Sequence, residues 1–174
     1  MSALQSLNIL LVDDNQHMRA ITSTILQSAG IRNIREVSDG AMALEALRAH
    51  QIDLAIVDFN MFPLDGVEFT RLVRNSPDSA NPYLPIIMMT GHSEKHRVYE
   101  ARDAGVTEFV VKPITAKAVF DRIQAVIMRP RPFVKTDDYF GPDRRRTHAA
   151  NYKGQRRRST DVAETASTDI DGKA

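Results

Sequence analysis

Residues 54–66 read LAIVDFNMFPLDG, an apolar run that ends in Asp58 and continues into a loop containing Pro63 and Gly66. A short apolar run bounded by turn residues is typical of a strand that is buried on both faces. This stretch therefore predicts a strand over 54–58 that carries a carboxylate at its C-terminal end. A helix over about 65–74 is predicted to follow the loop.

The same alternation of apolar strand and amphipathic helix extends in both directions along the chain. It predicts strands over 8–12, 33–37, 54–58, 85–90 and 108–112, and helices over 15–28, 41–50, 65–74, 94–104 and 116–128. Continuous apolar strands that alternate with helices indicate a parallel sheet covered on both faces. The fold class predicted is thus α/β, a five-stranded, doubly wound parallel sheet.

Polar side chains lie where the predicted strands end. Asp13 and Asp14 follow the first strand, Asp58 ends the third, and Thr90 and Lys112 end the fourth and fifth. Parallel sheets bind ligands outside these carboxyl ends, so the five residues are expected to converge. Three carboxylates together repel one another, and a hard cation such as Mg²⁺ with oxygen ligands relieves that repulsion. With a lysine and a hydroxyl beside it, the site suits a phosphoryl group on one carboxylate.

At this point the chain resembles the receiver domains of CheY-like response regulators. The resemblance rests on VDD (12–14), DFNMFPLDG (58–66), MTG (89–91) and VKP (111–113), and it covers about 120 residues within a domain spanning 1–128. It implies that Asp58 is the phosphoacceptor, served by a histidine kinase or a small phosphodonor, in a protein that is otherwise not an enzyme. The roles it implies for the other residues are metal binding by Asp13, Asp14, Asp58 and the carbonyl of Asn60, phosphoryl recognition by Thr90 and Lys112, and an aromatic switch at Phe109.

Two positions depart from the pattern of that family. The loop reads MFPLDG, with Pro63 one place later than usual, and Phe109 stands where tyrosine is common. Neither change removes the groups needed for phosphotransfer, but both leave open whether the domain signals as a standard chemotaxis regulator does. The alternative is that the acidic cluster is a vestige on a fold kept as a scaffold.

Composition bounds the environment of the protein. There are no cysteines, which excludes disulfides and thiolate metal sites. The N-terminus MSALQSLN has no signal-peptide pattern, and no apolar run approaches the ~20 residues of a membrane span. We expect a cytoplasmic protein that does not bind or span a membrane.

The final segment, residues 129–174, differs in composition from the rest. Residues 129–158 hold ten Lys and Arg against three Asp and Glu, whereas residues 1–128 hold 12 against 15. Prolines at 130 and 132 end the helical pattern, and no new period replaces it. The prediction is an intrinsically disordered, arginine-rich tail that orders on binding an anionic partner.

The residue types in the tail match the chemistry of guanine and phosphate. Arginine pairs with phosphate and with the O6/N7 edge of guanine, a carboxylate accepts from guanine N1–H and N2–H, and aromatic rings stack on bases. The candidate ligand-binding residues are Tyr139, Gly141, Pro142, Arg144, Arg145, Arg146, Arg156, Arg157, Arg158 and Asp161.

The receiver with this tail, through GPDRRR (141–146) and KGQRRRSTD (153–161), resembles the Cle group of CheY-like effectors. That resemblance implies binding of cyclic di-GMP and docking on a flagellar motor switch protein to control motility and surface attachment. Three alternatives stay open: an ordinary phosphorelay or chemotaxis receiver with an incidental tail, a tail that binds nucleic acid or acidic lipid through charge alone, and a solvated linker.

Overall fold

The computed structural model describes residues 3–91 and 96–145. Five strands form one sheet in the order β2-β1-β3-β4-β5, and every pairing within it is parallel. These strands are β1 Asn8–Val12, β2 Asn33–Val37, β3 Leu54–Asp58, β4 Ile86–Thr90 and β5 Glu108–Val111. The predicted fold class is confirmed, and the strand bounds differ from prediction by no more than one residue.

Helices follow the five strands and cover both faces of the sheet. They are α1 Gln16–Ser28, α2 Gly40–Ala49, α3 Gly66–Asn75, α4 Val98–Ala104 and α5 Ala116–Met128. Leu26 of α1 and Ile123 of α5 pack on one face of the sheet. Ala43 of α2 and Phe69 of α3 pack on the other, which is why the strands between them are apolar on both sides.

Local side-chain chemistry sets where most helices begin. Asn15, Asp39 and Thr115 each accept a hydrogen bond from a backbone N–H of the first turn of α1, α2 and α5. Asp65 and Glu68 form a reciprocal capping box at the start of α3. Helix α4 ends at Gly105 with φ of 107°, a left-handed conformation that suits glycine. It begins at Val98, four residues after the predicted start.

The segment beyond α5 corrects one sequence-based expectation. The sequence predicts a disordered tail from Arg129, but Phe133–Lys135 (β6) and Phe140–Pro142 (β7) pair as an antiparallel hairpin. The rings of Phe133 and Phe140 lie 5.0 and 5.3 Å from that of Tyr83, just before β4. Tertiary contacts with the domain thus order a stretch that has no periodic pattern of its own. Residues 146–174 lie outside the described residues.

Candidate functional site: the acidic pocket at the strand ends

Sheet register brings the predicted pocket residues to one edge. Val12 pairs with Val57, and Asp58 pairs with Met89, so the residues after β1 and at the end of β3 lie side by side. Thr90 pairs with Val111, which places Lys112 next to it. The backbone N–H of Lys112 donates to the Thr90 carbonyl at 2.7 Å. All five strand-end residues therefore belong to adjacent strands, as the sequence predicts.

Three carboxylates meet at this edge. Asp13, Asp14 and Asp58 each offer an oxygen, and these oxygens lie within 4.8 Å of one another. Asp13 and Asp58 are almost fully buried, at 1% and 4% exposure, while Asp14 is exposed. Like charges this close raise one another's energy unless a cation lies among them.

Burial dominates the electrostatics of the pocket. It raises the pKa of Asp58 to about 6, the Lys112 ammonium opposes that rise, and Asp13 and Asp14 add to it. Burial also raises the pKa of Asp13, against a hydrogen bond from the backbone N–H of Asn15 and the charge of Lys112. The protein thus holds both carboxyls in a setting that costs free energy when they are ionised without a counter-charge.

Lys112 supplies part of that counter-charge. Its Nζ lies 2.5 Å from Asp58 Oδ1 in an ion pair whose aspartate side chain is only 6% exposed. Among the described residues, Asp13 Oδ2 is buried without a hydrogen-bond partner. A buried carboxylate oxygen with no donor, beside two further carboxylates, fits the oxygen donor set that Mg²⁺ prefers.

The remaining receiver-type residues, Thr90, Asn60 and Phe109, lie in three different settings. Thr90 is buried at 3% exposure at the end of β4, on the same edge as Asp58. Asn60 is exposed in the loop after β3. Phe109 on β5 is half-buried and packs against a cluster that includes Ala101 and Ala104 of α4. Phosphoryl recognition by Thr90, metal binding by the Asn60 carbonyl and the switch role of Phe109 stay predictions.

The first part of the predicted ligand set lies in the hairpin, away from the acidic pocket. The Tyr139 hydroxyl donates to the Pro142 carbonyl at 2.7 Å, and Gly141 and Pro142 are buried. Arg144 stacks over the Tyr139 ring at 4.5 Å and pairs with Asp103 of α4. Arg145 is exposed. Arg146, Arg156, Arg157, Arg158 and Asp161 lie outside the described residues, so their predicted role is untested.

One buried residue was missed from the sequence. Arg74 on α3 is 3% exposed and donates to the carbonyls of Gly105 at 3.0 Å and Pro82 at 2.8 Å. Its guanidinium also lies 5.0 Å from the centroid of the Phe133 ring. The sequence held no signal for this burial, because the carbonyls of Pro82 and Gly105 come close to Arg74 only in the folded chain.

Comparison with known proteins decides the family. Residues 9–124 match the model of the response regulator receiver domain. The chain belongs to the response regulator receiver family. Receiver domains are phosphoacceptor regulators rather than ordinary enzymes, and histidine kinases are their partners.

Individual relatives agree with this assignment. The chain is 35% identical to the chemotaxis protein CheY of Pseudomonas aeruginosa over 123 residues, which is 71% of this chain and 98% of that protein. It is 31% identical to CheY-3 of Vibrio cholerae over 125 residues, 72% of this chain and 95% of that protein. The match to the family model ends at residue 124, before the hairpin that begins at Phe133.

Solved structures show the same fold. That of V. cholerae CheY4 superposes with a TM-score of 0.61 at 31% identity, covering 68% of this chain and 96% of that one. The receiver domain of a sensor histidine kinase from P. aeruginosa superposes with a TM-score of 0.63 at 26% identity, covering 70% and 98%. That receiver holds a magnesium ion coordinated in its active-site cleft. Within residues 3–91 and 96–145, none of the helices has the length and apolar composition of a transmembrane span.

Proposed function

We propose that this receiver accepts a phosphoryl group on Asp58 from a histidine kinase or a small phosphodonor. The observation that carries the proposal is the buried carboxylate cluster of Asp13, Asp14 and Asp58 with Lys112 paired to Asp58. A structural ion pair alone would need one carboxylate; three at one strand edge make a site for a cation and an anion together.

The chemistry follows from the groups on this edge. A carboxylate oxygen of Asp58 attacks the phosphorus of the donor, a new P–O bond forms, and the bond from phosphorus to the leaving group breaks with its electron pair. In transfer from a phosphohistidine that leaving group is the imidazole, which takes up a proton. Lys112 then moves its charge from the Asp58 carboxylate to the phosphoryl oxygens, and the Thr90 hydroxyl donates to them.

Asp13, Asp14 and Asp58 are the residues that would hold Mg²⁺, with the Asn60 carbonyl as a further oxygen. Mg²⁺ bound there would supply positive charge to the phosphoryl oxygens during transfer. The unpartnered Asp13 Oδ2 and the short distances between the three carboxylates support this assignment.

The test is labelling of the full chain by acetyl phosphate in Mg²⁺. Wild type should gain one phosphoryl group, and Asp58→Asn should gain none. Asp78→Asn is the matched control, because Asp78 is exposed in the turn after α3, away from the acidic cluster. Labelling that persists in Asp58→Asn would remove Asp58 as the acceptor.

We further propose that the arginine-rich segment binds cyclic di-GMP, so that the protein is a two-input effector in the cytoplasm. Two features of the sequence support this proposal. Residues 129–158 hold ten basic and three acidic residues, and they include two arginine triplets, the second of which is followed by Asp161. Cyclic di-GMP has two phosphates and two guanines, which arginine side chains and a carboxylate can recognise through hydrogen bonds. The proposed output is docking on a flagellar motor switch protein, with control of motility and surface attachment; the chain's similarity to chemotaxis proteins is compatible with it.

The hairpin refines the ligand set that this proposal uses. Tyr139, Gly141 and Pro142 take part in the hairpin's own contacts, so their contribution is to hold the segment in place. Recognition of the dinucleotide then falls to Arg144, Arg145, Arg146, Arg156, Arg157, Arg158 and Asp161.

Calorimetric titration of cyclic di-GMP into the full chain tests the second input. Saturable binding that Arg156→Ala and Asp161→Ala abolish, and that Arg48→Ala in α2 leaves intact, would support it. Equal, steeply salt-dependent binding of arbitrary DNA or RNA would instead favour a general polyanion arm. Absence of binding would leave an ordinary phosphorelay receiver. A truncated control should end at Arg145, so that it lacks the rest of the arginine-rich segment but keeps the hairpin. A chain that ends at Met128 would lose the hairpin as well.

A further inference from the structure

The C-terminal hairpin, residues 133–142, is attached to the domain by an aromatic cluster. The rings of Phe133 and Phe140 lie 5.5 Å apart, and both contact Tyr83 before β4. The buried Arg74 guanidinium lies over Phe133. Ring pairs in this range are attractive, so the hairpin has its own cohesive contact with the domain.

Backbones also meet closely at the C-terminal end of α4. A Cβ added to Gly141 would lie 3.0 Å from the Gly105 Cα, and a Cβ added to Gly105 would lie 3.1 Å from the Phe140 carbonyl oxygen. Two glycines thus permit strand β7 to lie directly against the residue that ends α4.

Two ion pairs flank this contact. Arg144, just after β7, pairs with Asp103 in the last turn of α4. Arg131, just before β6, pairs with Glu108 at the start of β5 at 2.7 Å. Arg144 is exposed and Asp103 is 55% exposed at its side chain, so this pair is open to competition by another anion.

The helix held by Arg144 is the helix that contacts Phe109. Ala101 and Ala104 of α4 lie in the cluster against which Phe109 packs. One side of a seven-residue helix therefore faces the predicted switch residue, while its last turn carries the attachment of the arginine-rich segment. One short helix therefore connects that attachment to Phe109.

We propose that Arg144 is shared between Asp103 and the anionic dinucleotide, so that ligand binding withdraws Arg144 from α4 and loosens the hairpin. The inference rests on the proposed cyclic di-GMP function and adds its route to the receiver. When ligand is bound, Arg144 pairs with a phosphate of the dinucleotide. When no ligand is bound, Arg144 pairs with Asp103 and fixes the hairpin to the last turn of α4. The second messenger thereby acts on the same helix that packs against Phe109, the predicted switch residue.

The test compares wild type, Asp103→Asn and Asp121→Asn as full chains in calorimetric titrations with cyclic di-GMP. Asp121→Asn is the matched control, because it removes the same charge from another exposed ion pair, with Lys117 on α5. Asp103→Asn should tighten binding by about two- to fivefold, the range set by loss of an exposed ion pair, and Asp121→Asn should leave it unchanged.

Hydrogen exchange of backbone amides reports whether the hairpin loosens, which the binding affinity does not show. The Thr136 N–H donates to the Tyr139 carbonyl and the Asp143 N–H to the Pro132 carbonyl, both at 2.8 Å. Exchange of these two amides should accelerate when ligand is added to wild type, and in Asp103→Asn it should already be faster without ligand.

The outcomes separate this inference from the function beneath it. Equal affinities of the three proteins, with hairpin exchange unaffected by ligand, would overturn the sharing of Arg144 while leaving cyclic di-GMP binding intact. No binding to any of the three would overturn both.

Discussion

Replacing Phe140 by alanine should destabilise the receiver although the residue lies outside the family domain. The ring lies 5.3 Å from that of Tyr83 and 5.5 Å from that of Phe133. Each such pair is worth about 0.5–1.5 kcal/mol beyond area burial. Full burial of a phenylalanine makes its loss cost about 3–5 kcal/mol, and Phe140 is half-buried. Half of that cost is a loss of about 2 kcal/mol in the free energy of unfolding, and the two ring pairs are part of it.

Thermal unfolding of the full chain measures this effect. A loss of about 2 kcal/mol corresponds to a fall of roughly 4–8 °C in Tm for a chain of this size. Phe62→Ala is the control, since it removes the same side chain from a position that is 83% exposed. It should change the free energy of unfolding by no more than about 0.5 kcal/mol. Equal Tm values for the two variants would refute the docked hairpin.

Three further predictions concern the pocket and the end of α4. Millimolar Mg²⁺ should raise the Tm of wild type but not of Asp13→Asn, because binding to the folded state alone stabilises it; an equal rise in both would place the ion elsewhere. Without divalent metal, the raised pKa of Asp58, about 6, means that its contribution to stability is present below pH 4 and lost as the pH rises through 6. Urea melts should therefore show that the free energy of unfolding of Asp58→Asn increases relative to that of wild type between pH 4 and pH 7, by up to about 3 kcal/mol. A difference that does not change with pH would contradict the cost of burying the ionised Asp58. Gly105→Ala should cost about 1–3 kcal/mol in urea melts, because residue 105 has φ of 107° and the new Cβ would lie 2.9 Å from Arg74 Cγ, and an unchanged midpoint would contradict the close contact.

The sheet and the pocket were predictable because their signals are local. Each strand is a short apolar run, and a parallel sheet necessarily gathers the residues at its strand ends, so the sequence alone places Asp13, Asp58 and Lys112 together. The start of α4 was less predictable. Arg97, which precedes it, has no side-chain capping bond, so no cap residue marks the beginning of that helix.

The hairpin could not be predicted because its stability is not local. Its strands have three residues each, and their partners Tyr83, Arg74 and Gly105 lie far away in sequence. An isolated hairpin of this length is at best marginally stable in water, so composition alone favoured disorder. The same reasoning explains why Arg74 was missed: its burial depends on carbonyls at 82 and 105 that only the folded chain supplies.

Direct mapping of the phosphorylated residue tests the central claim. The full chain is incubated with acetyl phosphate and Mg²⁺, the acyl phosphate is reduced with borohydride, and the peptides are analysed by mass spectrometry. Reduction converts a phosphorylated aspartate to homoserine, which marks the acceptor permanently. The account predicts homoserine at residue 58 and unmodified aspartate at 13 and 14. Homoserine at residue 13 or 14 would contradict the account. Absence of homoserine from residues 13, 14 and 58, under conditions that phosphorylate a known receiver, would also contradict it.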